Sequence, residues 1–127
     1  MRFLIHGSVD AAARAALQRH EHACHEIAEL PPELTADSLQ DDPGHLLPAL
    51  EKKQWCLLTT ESALVRAIYE KKLSFNGVVV QILDSEGNDH APAIDRLFER
   101  YKRLTPGRLY TVTPNRVKIR QLPAAYD

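Results

Sequence analysis

Residues 3–8 read FLIHGS and residues 56–61 read CLLTTE, and these two stretches decide the fold. Each is a short apolar run that ends at small polar residues and then passes directly into a helical pattern. Open α/β sheets bind their ligands at the carboxyl ends of the strands. The two stretches therefore predict a site at this edge of a sheet, with four polar side chains brought together: His6, Ser8, Thr60 and Glu61.

The rest of the chain alternates between strand and helix patterns. Strands are predicted at 2–5, 23–27, 55–58 and 78–83, and a β-hairpin at 109–113 and 116–122 around Pro114-Asn115. Helices are predicted at 11–19, from 46 onward, after Thr60 and over 94–104. Residues 31–42 are predicted as a connection with a helical turn near 36–39. This order predicts one domain, residues 1–127, built as a three-layer α/β/α sandwich with a mainly parallel sheet and a C-terminal β-hairpin.

The starts of two helices carry residues that favour capping. Ser8 is the predicted N-cap of the first helix, with Asp10 in its first turn, where a negative charge complements the helix dipole. Thr59 or Thr60 is the predicted cap of the helix that follows the central strand. Glu61 then has two interpretations, a ligand of a metal site or an acid that complements the helix dipole.

Composition narrows the class of protein. The 127 residues are 44% hydrophobic and 26% charged, with a formal net charge of −1, as in a globular domain rather than a nucleic-acid scaffold coated in positive charge. No apolar run approaches the roughly 20 residues that span a bilayer, and no signal-peptide pattern precedes the first strand. Cys24 and Cys56 fall in predicted strands, where free buried thiols are expected. We therefore expect a cytoplasmic protein without a membrane partner.

The order of these blocks resembles a PIN-like family of short bacterial proteins, relatives of PIN-domain toxins and of the RNase-like domain at the end of some exonucleases. The resemblance rests on the opening strand Met1 to Ile5, the segment 12–27, the block 56–61, the apolar strand 77–83 and the closing residues 116–123. It implies a PIN-like fold and a metal-dependent ribonuclease ancestry, with toxin–antitoxin proteins among the relatives.

The resemblance also implies where the catalytic acids would lie. Family members carry an Asp-Glu pair after the first strand, an acid at a helix start after the loop, and two acids after the central strand. This chain has His6-Gly7 at the first pair and Pro43, preceded by Asp41 and Asp42, at the second position. Glu61 and Ala63 occupy the last pair. The implied site is catalytic His6, Asp42 and Glu61, with Glu61 and Asp42 as ligands of Mg²⁺ or Mn²⁺ and with Ser8 and Thr60 lining it.

Two functions stay open at this point. One is a metal-dependent, toxin-like ribonuclease that acts on RNA with a reduced set of carboxylates. The other is a non-catalytic descendant of the same fold that binds RNA or a protein partner of the antitoxin kind. A homodimer is compatible with either function. His6 itself is interpreted either as a working ligand or base, or as a residue that replaced an acid and now bonds a helix start.

Two further clusters have a structural and a functional interpretation. His20, His22 and His25 suggest a zinc or nickel site, although polar residues also suit the end of a helix. Arg116, Lys118 and Arg120 alternate with apolar residues, so that one face of the last strand is basic. That face would contact phosphates or would prevent pairing between sheet edges.

Overall fold

The computed structural model describes residues 1–7, 9–30, 42–83, 90–113 and 116–123. Its strands are β1 (Arg2–His6), β2 (Ala23–His25), β3 (Cys56–Thr59), β4 (Val79–Ile82), β5 (Arg108–Val112) and β6 (Val117–Gln121). Its helices are α1 (Ala11–Arg19), α2 (Pro43–Lys53), α3 (Ser62–Glu70) and α4 (Ala91–Arg100), with a short 3₁₀ turn at Ile27–Glu29. The predicted strand–helix alternation is confirmed.

The six strands form one sheet in the order β2-β1-β3-β4-β5-β6. All neighbours are parallel except β5 and β6, which form the expected antiparallel hairpin. The predicted turn at 114–115 lies outside the described residues. Parallel order among five strands requires crossover connections, and the helices of the alternating pattern supply them.

Apolar side chains fill both faces of the sheet. Phe3, Ile5 and Leu58 pack with α1 and α4, whereas Leu4, Leu57 and Val79 pack with α2 and α3. Neighbouring residues of a strand point to opposite faces, so a strand covered on both sides is apolar throughout. This mixed α/β architecture is compatible with the expected three-layer sandwich.

Several local predictions need correction. The second strand ends at His25 rather than at residue 27, because a 3₁₀ turn takes over. The last helix ends at Arg100, and Leu104 is buried beyond it. The N-cap of α1 is Asp10, whose Oδ1 accepts the Ala13 N–H at 2.8 Å. The expected cap, Ser8, lies outside the described residues, as does the helical turn near 36–39.

The predicted cap of α3 is also wrong. Glu61, and not Thr59 or Thr60, occupies the N-cap position, and its side chain makes no capping hydrogen bond. Thr59 lies two residues before the N-cap, and its hydroxyl accepts the backbone N–H of Glu61 at 2.9 Å. The threonine therefore satisfies a backbone donor at the helix start without being its N-cap.

In the part of the chain that the structure describes, no helix combines the length and the apolar composition that crossing a membrane requires.

Candidate functional site at the carboxyl edge of the sheet

The order of the strands in the sheet changes direction at β1: β2 is placed on one side of β1, and all later strands are placed on the other side. The strand β2 lies on one side of β1 and β3 lies on the other, so the two connections leave the carboxyl edge in opposite directions. A crevice is expected at such a switch point, and open α/β sheets bind their ligands there. His6 ends β1 and is paired in register with Thr59 at the end of β3.

A row of polar side chains crosses the sheet at this level. Thr59 is paired in register with Gln81 of β4, and all three residues of the row are buried, with exposed fractions of 4% for His6, 0% for Thr59 and 7% for Gln81. Buried polar side chains need hydrogen-bond partners. His6, Thr59 and Gln81 are therefore expected to make hydrogen bonds within the protein.

Thr59 lies at the centre of those bonds. Its Oγ1 is 2.9 Å from Nδ1 of His6 and also accepts the N–H of Glu61. Since the hydroxyl accepts from Glu61, its proton can be donated to Nδ1, which in a neutral imidazole leaves the ring proton on Nε2. One buried threonine thus fixes both the ring of His6 and the start of α3.

Gln81 and Ser62 form a second link. The amide Nε2 of Gln81 donates to Oγ of Ser62 at 3.1 Å, which ties β4 to the first turn of α3. Neither Gln81 nor Thr59 is among the site residues that the sequence predicts. The available signal was a polar residue that interrupts an apolar run, as in VVVQIL at 78–83.

Gly7 brings the end of β1 close to the start of α3. Its φ of +84° lies in the left-handed region that favours glycine. A Cβ at this position would lie 2.5 Å from Oγ1 of Thr60 and 3.1 Å from Cγ of Glu61. The two loops therefore approach each other so closely that only glycine fits.

A crevice of about 330 Å³ opens beside these loops, lined by His6, Glu61, Ala63 and Leu64. Three of the four lining positions, His6, Glu61 and Ala63, correspond to acids in the PIN-like family that the sequence resembles. The structure thus brings together His6 at the end of β1 and Glu61 after β3, as the two opening stretches predict. Among these three side chains only Glu61 is a carboxylate.

Asp42 lies elsewhere. It is the N-cap of α2, and its oxygens accept from the Gly44 N–H at 2.9 Å, contact Nδ1 of His45 at 2.9 Å and pair with Nζ of Lys71 at 3.4 Å. Lys71 follows the last residue of α3, whereas Glu61 precedes its first. The two carboxylates therefore lie at opposite ends of a nine-residue helix, about 14 Å long.

The partners of Asp42 also set its acidity. The bond with His45 is the largest cause that holds the pKa of the Asp42 carboxyl below its usual 3.8, and the Gly44 N–H and Lys71 act in the same direction. A carboxylate with these three partners is a helix cap. Asp41, which with Asp42 precedes Pro43 at the second position of the family pattern, lies outside the described residues.

The other predicted lining residues have different outcomes. Thr60 is not one of the residues that line the crevice; its hydroxyl lies against Gly7, and its backbone N–H donates to the carbonyl of His6 at 3.3 Å. Ser8 lies outside the described residues.

The three histidines at 20–25 are not brought to one point. His20 and His22 pack against the ring of Phe98, at centroid distances of 5.5 and 4.2 Å, whereas His25 stacks on Trp55 at 4.0 Å. Burial and the nearby amino group of Met1 lower the pKa of His22 from 6.5 to about 4. These imidazoles serve the packing of two separate parts of the molecule.

Among the residues that the structure describes, no group of three or more His, Cys, Asp or Glu side chains is arranged to hold a metal ion. Comparison of the chain with protein-family models, with curated proteins and with solved structures found no match. The residues of the crevice therefore carry the evidence for function.

Proposed function

We propose that the protein is a PIN-like domain that works as a binding module for RNA or a protein, without the hydrolytic activity of a metal-dependent ribonuclease. The observation that carries this proposal is the placement of the acids. Three positions with acids in the family pattern line one crevice, yet Glu61 is their single carboxylate, and Asp42 instead caps α2 and pairs with Lys71, which follows the far end of α3.

The chemistry of phosphodiester hydrolysis explains why this placement matters. Mg²⁺ and Mn²⁺ prefer several oxygen ligands, and the ligands fix both the ion and the water that attacks. A single carboxylate beside an imidazole offers weak binding to such ions. In addition, Nδ1 of His6 lies 2.9 Å from Oγ1 of Thr59, so this ring nitrogen is used within the fold. This arrangement favours binding of a partner in the crevice over hydrolysis of a substrate there.

A ribonuclease is the second candidate, and one observation favours it. His6 and Glu61 line the same crevice and are connected through the hydroxyl of Thr59. A histidine and a carboxylate on one wall are a suitable pair for general acid–base chemistry or for holding a Mg²⁺ or Mn²⁺ ion.

Cleavage of an end-labelled, unstructured RNA separates the two candidates. Wild-type protein is incubated with Mn²⁺ or Mg²⁺ beside the variants Glu61→Gln and Glu70→Gln, the latter an exposed acid at the other end of α3. We expect the same low background in all three. Cleavage that disappears in Glu61→Gln and persists in Glu70→Gln would overturn the binding proposal and establish the nuclease.

A cytoplasmic location is part of the proposal. Cys24 and Cys56 are free thiols, and burial raises the pKa of both. Free, protonated thiols suit a reducing compartment. Fractionation of the native host followed by immunoblotting tests this location, and recovery of the protein outside the cytoplasmic fraction would contradict it.

A further inference from the structure

We infer that the outer edge of β6 is a docking site for an extended, acidic protein segment, which adds to the sheet as a seventh strand. This inference goes beyond the proposed function and does not depend on whether the crevice is catalytic. It rests on the backbone of β6, on the charge of one face and on the apolar character of the other.

The hydrogen-bonding pattern of the hairpin shows which backbone groups face outward. The Thr113 N–H donates to the Arg116 carbonyl at 2.9 Å, and the Leu122 N–H donates to that of Gly107 at 3.0 Å. Residues of an antiparallel pair alternate between facing the partner strand and facing away. The even-numbered residues of β6 therefore bond to β5, and the N–H and C=O groups of Val117, Ile119 and Gln121 point away from the sheet.

The strand is also open to solvent. Residues 118–121 are exposed, and Ile119 is one of three large apolar side chains in the described residues that are exposed, at 40%. One outward carbonyl already has a partner, because the Tyr69 hydroxyl donates to the Gln121 carbonyl at 2.8 Å. The groups of Val117 and Ile119 remain as the central donors and acceptors for an added strand.

The two faces of β6 differ in chemistry. Lys118 and Arg120 lie on the face covered by α3, where the Arg120 guanidinium sits 3.9 Å from the centre of the Tyr69 ring. Val117 packs against the core on the opposite face, which Ile119 shares. An added strand would place alternate side chains beside each face. Acidic residues would meet the two cations, and apolar residues would meet Val117 and Ile119.

The same charges argue against a second copy of the chain as the occupant. Pairing of two β6 strands edge to edge would bring the cations of both copies close together, which is unfavourable. An acidic strand reverses the sign of that interaction. β-Strand addition of this kind takes its affinity from main-chain hydrogen bonds and its specificity from alternate side-chain contacts.

The test uses synthetic peptides of about ten residues, the length needed to cover a strand with flanks. In one peptide glutamate alternates with valine, and in its control lysine replaces glutamate. Fluorescence anisotropy measures binding to wild type, to the double variant Lys118→Glu/Arg120→Glu and to Lys102→Glu/Arg103→Glu, which makes the same charge change at exposed residues away from β6.

We expect the glutamate peptide to bind wild type and the 102/103 variant equally, and the 118/120 variant at least about tenfold more weakly. The lysine peptide should prefer the 118/120 variant. A further variant, Ile119→Pro, removes one outward N–H from an edge strand and leaves the charges in place. It should weaken binding of the glutamate peptide, with circular dichroism confirming that the fold is kept.

Three results would overturn the inference. One is a glutamate peptide that does not distinguish the 102/103 variant from the 118/120 variant, whether it binds both equally or binds neither of them nor wild type. Another is binding of a single-stranded RNA that is lost with Lys118→Glu/Arg120→Glu, which would assign the edge to a nucleic acid. The third is a wild-type dimer in sedimentation that dissociates in Ile119→Pro, which would assign it to a second copy.

Discussion

The N-termini of α2 and α3 each carry an acid at the N-cap, yet the two acids behave differently. Asp42 of α2 has a backbone donor, a histidine and a lysine around its carboxylate. Glu61 of α3 makes no capping bond, because Thr59 already accepts the Glu61 backbone N–H. At the start of α3 the buried Thr59, and not the side chain of the N-cap residue, bonds the free backbone N–H. The Glu61 carboxylate therefore faces the crevice, whereas that of Asp42 is used by the fold.

The largest effect is expected when acids are introduced around Glu61. The variant His6→Asp/Ala63→Asp should place three carboxylates in one crevice, one of them at a buried position. Repulsion and burial of charge should lower the free energy of unfolding by about 3 kcal/mol without metal. Mn²⁺ relieves the repulsion and binds only the folded state, so it should raise Tm by several degrees.

Thermal unfolding with and without Mn²⁺ measures this response. The control is the same double variant with Glu61→Gln, in which the Mn²⁺ response should be much smaller. An equal response in wild type would mean that His6 and Glu61 already bind the ion, and the ribonuclease would then be the better interpretation.

The second-largest effect is expected when Thr59, which bonds the start of α3, is replaced. Thr59→Val should lower the free energy of unfolding by about 2 kcal/mol, because it leaves Nδ1 of His6 and the Glu61 N–H without their buried partner. Thr60→Val is the matched control and should change it by less than about 0.5 kcal/mol. Urea titration of both proteins gives the comparison, and similar losses would show that Thr59 has no special role.

Asp42→Ala should lower Tm by a few degrees at neutral pH through loss of a helix cap. Because the pKa of Asp42 in the fold lies below its usual 3.8, the unfolded chain binds its proton first as the pH falls. The stabilisation is therefore present above pH 3.8 and is lost as the pH falls through the lowered pKa. Melting curves across this pH range should show the Tm values of wild type and Asp42→Ala becoming equal in acid. A difference in Tm that does not change with pH would contradict the role of the Asp42 carboxylate as a helix cap.

The smallest effect is expected at Glu61 itself. Glu61→Ala should change the free energy of unfolding by less than about 0.5 kcal/mol, since the residue is exposed and the backbone N–H stays bonded to Thr59. Equilibrium unfolding of Glu61→Ala and Asp42→Ala measures the change in the free energy of unfolding for both variants. A larger loss at Glu61 than at Asp42 would reverse the comparison from which these predictions start.

Much of the fold could be predicted because strands covered on both faces are recognisable as apolar runs. Val79 and Val80 pack into different cores, yet each is fully buried, so the run carries no polar alternation. The convergence of His6 and Glu61 followed from the same logic, since parallel strands end at one edge. Helix starts were harder to predict, because Ser, Thr and Asp all suit a cap and only geometry chooses among them.

The position of Asp42 could not be predicted from the sequence. Its distance from Glu61 depends on how α2 packs against α3, and the ion pair between Asp42 and Lys71 forms only in that packing. The role of Thr59 was missed for a related reason. A threonine at a strand end is common, and its bond to a histidine 53 positions away exists only in three dimensions.

The glycine after β1 limits which side chains the crevice can hold. The PIN-like family that the sequence resembles has a glutamate at position 7, but a side chain here would adopt φ near +84° and meet the Thr60 hydroxyl. A substitution at Gly7 is therefore strained and also requires Thr60 to shift. Position 63 is exposed on a helix, so an acid can be introduced there without that strain.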